Sequence, residues 1–324
     1  MGEKTTEPVR GSGVPASGRP PGRVLLTGWF SFPDGEATAG DVLAWRAVHE
    51  ELERSGIAHD TAWSPAFEPD ALSLDAAVPA EYTHLVFVCG PVHGAQLGWL
   101  TNRFANCRRI AVGVSVIDSD DPVVKGFDVL IPRDMPGLRP RVDLSARSAL
   151  ALPGLPVIGV LLTSGQGEYG AARRHAAVCD AITGWLVSAG VAALPLETRL
   201  DRSDWTLAQR PEQFISILRR LDAVVTMRLH GLVLALAGGV PAVAVDPVAA
   251  GGKVSAQAEA LGWPALVRAD EATPSVLAGK LDWCLSTAGR ERAGAVAARL
   301  NTPDGWAVEL LAHLRGELDT RPAG

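Results

Sequence analysis

Residues 222–261 read DAVVTMRLHGLVLALAGGVPAVAVDPVAAGGKVSAQAEAL, and this stretch decides the fold. Two short apolar runs, 223–225 and 242–245, are bounded by charged or turn-prone residues, as is typical of buried strands. Each run is followed by a charged turn and then by helix-forming residues, 231–237 in the first case and about 253–261 in the second. The repeated order of strand, turn and helix predicts an α/β fold with a parallel sheet.

Basic side chains occupy both charged turns of this stretch. Arg228 and His230 follow the first strand, and Lys253 follows the second. Residues two apart in an extended segment point the same way, so we expect Arg228 and His230 to share one face while Leu229 faces the core. Open α/β folds bind ligands at the carboxyl ends of strands, where helix N-termini favour anions. The pattern therefore predicts a small-anion site, with salt bridges or helix capping as the structural alternative.

The segment 228–247, RLHGLVLALAGGVPAVAVDP, together with GGK at 251–253, resembles the signature of the polysaccharide pyruvyl transferase family. In that signature an Arg-x-His turn precedes a helix of small residues, a Gly-x-Pro and a downstream Lys. The resemblance implies two Rossmann-like α/β domains in a GT-B-like arrangement with an interdomain cleft. It also implies phosphoenolpyruvate as the donor substrate, no cofactor, and transfer of the pyruvyl group as a ketal to two hydroxyls of a sugar or glycan.

Each basic residue can be given a role in that chemistry. The planar guanidinium of Arg228 suits bidentate binding of a phosphate or carboxylate, and Lys253 suits the leaving phosphate. His230 is the candidate that gives and takes a proton near neutral pH. Because these cations supply the electrostatic stabilisation, we predict no metal site. The further candidates for donor binding are Ser164, Gln166, Gly231 and Gly252.

Aromatic and polar residues of the N-terminal half are candidates for the acceptor side. The loop after the predicted strand 23–27 carries Trp29 and ends in Gly40-Asp41, which resembles the family, although Thr38 and Ala39 stand where the family often has Asn. For Asp41 a substrate contact and a helix N-cap are both open. His93, in the turn GPVHG, is either an acceptor contact or an exposed loop histidine.

The remaining patterns predict two domains. Residues 1–22 are predicted to be a disordered tail, 23–150 an acceptor-side domain and 151–318 a donor-side domain, with a connector at 149–156. Three C-terminal helices are expected to be packing elements. Further strands are predicted at 84–89, 109–116, 127–131, 157–163 and 191–196, and further helices at 41–54, 171–189, 211–221, 274–285, 291–300 and 304–318.

Composition excludes several classes of protein. The 324 residues are 47% hydrophobic, which suffices for two cores, and the net charge of -6 argues against a nucleic-acid surface. Four widely spaced cysteines without a C-x-x-C pair fit a reducing compartment, so we expect a cytoplasmic protein. The apolar span 229–248 is broken by glycine, proline and Asp246, so no membrane segment is expected.

Two alternative functions stay open from the sequence. A nucleotide-sugar glycosyltransferase of GT-B shape would hold a diphosphate at the same turn and would need a ribose or base contact, for which Glu259 is the nearby candidate. A non-catalytic binding protein could retain the same scaffold. The joint presence of Arg228, His230 and Lys253 disfavours this second alternative, because a silent site would not require all three.

Overall fold

The computed structural model describes residues 22–165, 167–300 and 305–319. The chain divides into two compact units, Met1–Pro153 and Gly154–Gly324. The division falls inside the connector range 149–156. Across the described residues, none of the helices combines the length and the apolar character that crossing a bilayer requires.

The first unit contains one five-stranded parallel sheet in the order β2-β1-β3-β4-β5. Alternate residues of the strand Val24–Thr27 enter opposite core clusters, with Leu25 on one face and Val24 and Leu26 on the other. Helices therefore cover both faces, as parallel sheets require. In chain order the elements are β1 (Val24–Thr27), α1 (Ala39–Arg54), β2 (His59–Thr61), β3 (His84–Val88), α2 (Ala95–Arg103), β4 (Arg108–Ser115), α3 (Pro122–Lys125), β5 (Val129–Asp134) and α4 (Ser145–Ala149).

The second unit repeats this topology with the order β10-β9-β8-β6-β7, again with all strands parallel. The two interior strands from the deciding stretch, Ala223–Thr226 and Ala242–Asp246, are buried at every position, which explains their uninterrupted apolar sequences. In chain order the elements are β6 (Val157–Leu161), α5 (His175–Leu186), β7 (Ala192–Pro195), α6 (Pro211–Leu218), β8 (Ala223–Thr226), α7 (Leu229–Ala237), β9 (Ala242–Asp246), α8 (Lys253–Ala260), β10 (Leu266–Arg268), α9 (Pro274–Leu285), α10 (Thr287–Leu300) and α11 (Trp306–Asp319).

Each sheet has a topological switch point beside its central strand. The first strand in sequence lies between the second and the third in each unit, so the chain leaves β1 and β6 to one side and returns to the other. In open α/β sheets ligands bind outside the carboxyl ends of strands at this point. The switch points lie between β1 and β3 in the first unit and between β6 and β8 in the second.

The α/β class predicted from the sequence is confirmed by these two parallel sheets. The interdomain cleft and the acceptor and donor roles of the two domains stay predictions. One element differs in kind from its prediction, because the described side chains of α11 are mostly exposed and Trp306 is 65% exposed. That helix is therefore not the packing element expected from its sequence. The predicted tail, 1–22, lies outside the described residues except for Gly22.

Candidate functional site

A cavity of about 250 Å³ lies at the carboxyl edge of the second sheet. Arg228, His230 and Lys253, the three basic residues singled out from the sequence, all line it, together with Thr198 and Leu229. The loops that meet here follow β7, β8 and β9. The structure thus brings the three basic side chains to one small cavity, as the sequence pattern predicts.

The turn from β8 into α7 is fixed by the buried hydroxyl of Thr226. Its Oγ1 accepts from the backbone N–H of Arg228 at 3.0 Å and donates to the carbonyl of the same residue at 3.1 Å. The backbone N–H and C=O of Arg228 therefore both have a hydrogen-bond partner at the point where the strand ends. As a result α7 begins at once, at Leu229.

This early helix start corrects one part of the sequence interpretation. Leu229 and His230 belong to the first turn of α7 rather than to an extended segment, so the two-residue alternation does not apply. Leu229 is half-buried and lines the cavity beside its two neighbours instead of facing the core. His230 is exposed, which leaves its ring accessible from the cavity.

The guanidinium of Arg228 ties together the ends of three neighbouring strands. Nε donates to the carbonyl of Leu162 after β6 at 2.9 Å, and Nη2 donates to Glu197 Oε2 after β7 at 2.9 Å. Nη1 has only a 3.4 Å contact with Thr198 Oγ1. Two of its three nitrogens are therefore used within the protein. Nη1 and Nη2 each carry a second N–H, so the bidentate binding predicted from the sequence would have to use the hydrogens that Glu197 and Thr198 leave free.

Lys253 is held much less firmly than Arg228. Its Nζ lies 3.8 Å from Glu168 Oε1, and the two side chains are 41% and 60% exposed. Ion pairs this exposed contribute about 1 kcal/mol or less. An incoming phosphate, which forms stronger charge-assisted hydrogen bonds, can replace Glu168 as the partner of Lys253 at small cost.

Two helices, α7 and α8, begin at the cavity, but their N-termini differ. The buried carboxylate of Asp246 accepts from the backbone N–H groups of Gly252 and Ser255 at 2.7 and 2.8 Å, so it neutralises part of the N-terminal charge of α8. The N-terminus of α7 has no side-chain cap and no acidic residue in its first turn. Among these two helices, α7 therefore provides the more favourable site for an anion.

Among the described residues, the other donor-side candidates do not line the cavity. Gly231 is buried, and a Cβ at this position would lie 2.2 Å from Thr226 Oγ1, so its small size serves the packing of α7 on β8. Gly252 precedes α8 and donates to Asp246. Ser164 is exposed, and its carbonyl accepts from Arg173. Gln166 lies outside the described residues.

The loop after β6 and the loop after β9 are joined by their backbones. Arg174 N–H donates to the Pro247 carbonyl at 2.9 Å, and Ala249 N–H donates to the Ala172 carbonyl at 2.8 Å. Behind them His175 is buried at the start of α5. Burial, and next the charge of Arg173, lower the pKa of His175, and Lys253 acts in the same direction. The lowered pKa favours the neutral form of this ring.

Sequence reasoning assigned no site role to Glu197, Thr198, Glu168 and His175, although it placed Glu168 among the polar residues at the carboxyl end of a strand. No local motif marks them, because Glu168 and His175 follow β6, Glu197 and Thr198 follow β7, and the two pairs meet the turn after β8 only through the strand order. A usable signal was present, since β6 borders the switch point, β7 lies next to β6, and polar residues follow both strands. Applying the switch-point rule to every strand end would have found the first three.

In the first unit, Trp29 and His93 lie side by side at the carboxyl edge. Their ring centroids are 6.3 Å apart, and Trp29 Nε1 donates to the Pro91 carbonyl at 3.2 Å. Gly90, with φ of 72°, lies under the indole, where a Cβ would be 2.2 Å from Trp29 Cδ1. Trp29 is half-buried and His93 exposed, so one apolar and one polar ring meet at this edge.

Asp41 is not the N-cap of α1, which was the structural alternative for it. Thr38 takes that position, and its side chain accepts from the Asp41 N–H at 3.2 Å while donating to the Asp41 carboxylate at 2.7 Å. The carboxylate also lies near Cys89. Burial, and next the charge of Asp41, raise the pKa of the Cys89 thiol to about 11. Asp41 therefore stands at the same edge as Trp29 and His93.

Comparison with known families supports the resemblance inferred from the sequence. The family model described as polysaccharide pyruvyl transferase matches residues 188–247, less than a fifth of the chain. The matched segment contains Glu197, Thr198, Arg228 and His230, and it ends six residues before Lys253. The predicted resemblance is thus confirmed over the part of the chain that builds most of the cavity.

Overall similarity to solved structures is weak. The spinosyn rhamnosyltransferase SpnG has a TM-score of 0.34 and 13% identity, with 90% of this chain and 100% of that chain covered. The glycosyltransferase SnogD from Streptomyces nogalater has a TM-score of 0.31 and 14% identity, with coverage of 90% and 99%. The glycotransferase of kitacinnamycin has a TM-score of 0.32 and 11% identity, with coverage of 87% and 95%. A search of curated sequences gave no significant match.

Proposed function

We propose, on the premise that residues 188–247 match the polysaccharide pyruvyl transferase family, that the protein transfers the pyruvyl group of phosphoenolpyruvate to a sugar or glycan. The product is a ketal formed on two hydroxyls of the acceptor. The observation that carries the proposal is the convergence of Arg228, His230 and Lys253 on one cavity beside the uncapped N-terminus of α7.

The charge and size of the cavity fit a small, doubly acidic donor. Phosphoenolpyruvate carries a phosphate and a carboxylate, which need fixed cations and backbone N–H groups. The volume of about 250 Å³ is below the roughly 300–1,000 Å³ of pockets that hold drug-sized ligands. It therefore favours a three-carbon phosphate over a nucleotide sugar as the occupant.

In the proposed binding mode the two cations have different tasks. Arg228 stays fixed by Leu162 and Glu197 and offers Nη1, next to the hydroxyl of Thr198, to one donor anion. Lys253 exchanges its exposed partner Glu168 for the phosphate. A fixed and an exchangeable cation together orient the donor and then accompany the leaving group.

His230 is the proposed acid and base. It gives a proton to the methylene carbon, and an acceptor hydroxyl bonds to the adjacent carbon as charge develops there. Inorganic phosphate then leaves with the electrons of its C–O bond, and the second hydroxyl closes the ketal. One hydroxyl proton restores His230 and the other leaves with phosphate, so the reaction balances without a further reactant.

The acceptor side of the proposal rests on the first unit. Trp29, His93 and Asp41 stand at the carboxyl edge of its sheet and combine an apolar ring with hydrogen-bonding groups. Sugars bind well to such surfaces, because their apolar faces stack on aromatic rings while their hydroxyls form hydrogen bonds. We expect the hydroxyl pair of the acceptor to be held by these residues.

Release of phosphate from phosphoenolpyruvate tests the proposal. The protein is mixed with the donor and a panel of sugars and glycans that carry a free hydroxyl pair, and ketal products are identified by mass spectrometry. The same acceptors with that pair methylated are the matched control. We expect phosphate and ketal in equal amounts with a free pair and neither with a blocked pair. Equal phosphate release with free and with methylated acceptors, or no phosphate release with any acceptor, contradicts the proposed function.

A further inference from the structure

Three metal-ligating side chains meet in the first unit, on the side opposite to the ligand-binding edge. His49 and Glu53 lie one turn apart on α1, and His59 is the first residue of β2. One ligand atom of each lies within 4.8 Å of the others. The ring nitrogens His49 Nδ1 and His59 Nε2 are 2.8 Å apart, and Glu53 Oε1 is 3.7 Å from His59 Nε2.

The hydrogen bonds of His59 prepare it to bind a metal ion. Its Nδ1 is 2.8 Å from the carbonyl of Ile57, which can only accept, so Nδ1 carries the hydrogen. In the neutral ring Nε2 then holds a lone pair that faces His49 Nδ1. Metal-binding histidines commonly donate their second ring N–H to a backbone carbonyl, which fixes both tautomer and orientation.

Neighbouring contacts hold the same two elements together. Trp45 stacks on His49 with ring centroids 4.9 Å apart, and its Nε1 donates to Thr61 Oγ1 on β2 at 2.8 Å. The side chain of His59 is 4% exposed, whereas that of Glu53 is 66% exposed. The two nitrogen ligands are therefore held in place by neighbouring contacts. The carboxylate is open to solvent, so an ion can enter the cluster from that side.

We propose that His49, Glu53 and His59 form a binding site for a divalent transition-metal ion of the Zn²⁺ type. Two imidazoles and a carboxylate are a ligand set that Zn²⁺ accepts, with water in the fourth position. For Zn–N bonds of about 2.0–2.1 Å in a tetrahedral site, the two nitrogens must be about 3.3 Å apart. They need to separate by only about half an ångström from 2.8 Å, with His49 moving its proton to Nε2.

The place of this cluster in the fold indicates a structural role. His59 begins β2, so the cluster lies toward the amino ends of the parallel strands, whereas ligands bind at their carboxyl ends. A bound ion would join α1 to the edge strand β2. It would stabilise the first unit without taking part in the proposed pyruvyl transfer, which makes the two proposals independent.

Calorimetric titration of the metal-stripped, full-length protein with ZnCl₂ tests the site. We expect one ion per chain, and a rise in melting temperature on addition of Zn²⁺ but not of Mg²⁺. His49→Gln and Glu53→Gln should each weaken binding by at least about tenfold, since loss of a residue that only hydrogen-bonds to a metal ligand already costs about 10- to 100-fold in affinity. Glu53 is exposed, so its variant should fold normally.

Two matched variants complete the experiment. His84→Gln and Glu50→Gln remove the same residue types from the same unit but outside the cluster, and both should bind Zn²⁺ like the original protein. Absence of one-to-one binding by the original protein overturns the proposal. So does unchanged affinity in both His49→Gln and Glu53→Gln, which would assign the ion to another site.

Discussion

Arg228 Nη2 donates to Glu197 Oε2 across 2.9 Å, and this ion pair joins the turn after β8 to the loop after β7. The two side chains are 29% and 32% exposed, so the pair is partly shielded from solvent. With the bond from Nε to the Leu162 carbonyl, it fixes the guanidinium at the switch point of the second sheet. The ion pair is therefore a positioning device for the cation that we propose to bind the donor.

Arg228→Lys should raise the donor KM about tenfold or more. Lysine keeps the charge but cannot contact Leu162, Thr198 and Glu197 at once, and one lost charge-assisted hydrogen bond is worth about 1.5–3 kcal/mol. Steady-state kinetics with varied phosphoenolpyruvate measures the change. Arg199→Lys, in the loop after β7 that also carries Glu197 and Thr198, is 65% exposed and is the control that should leave KM unchanged. An unchanged KM in Arg228→Lys would refute the anchoring role.

His230→Gln should lower turnover by about 10²- to 10⁴-fold while leaving donor affinity within a few-fold of the original. The amide retains the size and polarity of the side chain but cannot transfer a proton near neutral pH. Phosphate release gives the turnover, and calorimetry gives the affinity. The exposed His313 on α11 provides the control variant His313→Gln, which should be fully active. Full activity in His230→Gln would remove histidine from the proposed chemistry.

Gly231→Ala and Gly184→Ala should change the free energy of unfolding in opposite directions. A Cβ at Gly231 meets Thr226 Oγ1 at 2.2 Å, so we expect a loss of about 1–3 kcal/mol from overpacking. At Gly184, inside α5, a Cβ meets nothing within 4 Å, so alanine should add up to about 1 kcal/mol through its helix propensity. Urea unfolding of both variants measures the difference. Equal effects would contradict the packing role of Gly231.

Asp246→Ala should destabilise the protein by about 3 kcal/mol, because one buried carboxylate accepts from three backbone N–H groups. Val248, Gly252 and Ser255 supply those groups, so the loop before Lys253 should lose its shape and donor affinity should fall too. Asp282→Ala, an exposed change on α9, should stay within about 0.5 kcal/mol. Stability equal to that of Asp282→Ala would show that this loop does not depend on Asp246.

His175 should make stability fall as the pH drops below about 6.5. Its pKa is lowered in the folded state from 6.5, so the unfolded chain binds more protons in this window. The contribution is fully present above pH 6.5 and is lost as the pH falls through the lowered pKa. The pKa values of Asp128 and Asp134 are lowered from 3.8, so these residues change the stability only at lower pH. Urea unfolding at several pH values gives the free energy of unfolding as a function of pH. This pH dependence should be smaller in His175→Asn, and an identical pH dependence would contradict the assignment to His175.

Local sequence patterns predicted the deciding stretch well. The strands β8 and β9 and the Gly-rich ends of the two helices follow from apolar runs bounded by turn residues. The short edge strands β2 and β10, each three residues long, escaped prediction, because half-buried edge positions carry too little periodic signal. The start of α7 was placed two residues late, since the hydroxyl of Thr226 closes the turn at once.

The candidate site was predicted only in part for a related reason. Arg228, His230 and Lys253 follow consecutive strands of the chain, so their proximity follows from parallel pairing alone. Glu197 approaches Arg228 because β6 lies between β7 and β8, and that order is a property of the whole sheet. The His49, Glu53 and His59 cluster depends on the same kind of long-range pairing between α1 and β2. Its helical spacing of four residues was visible, but the third ligand was not.

Calorimetric titration with phosphoenolpyruvate tests the central claim most directly. The original protein should bind one donor per chain, Arg228→Gln and Lys253→Met should each bind about tenfold or more weakly, and uridine and guanosine diphosphates should bind weakly or not at all. Donor affinity that both variants leave unchanged, or tight binding of a nucleoside diphosphate in place of phosphoenolpyruvate, would contradict the claim that these cations form a pyruvyl-donor site.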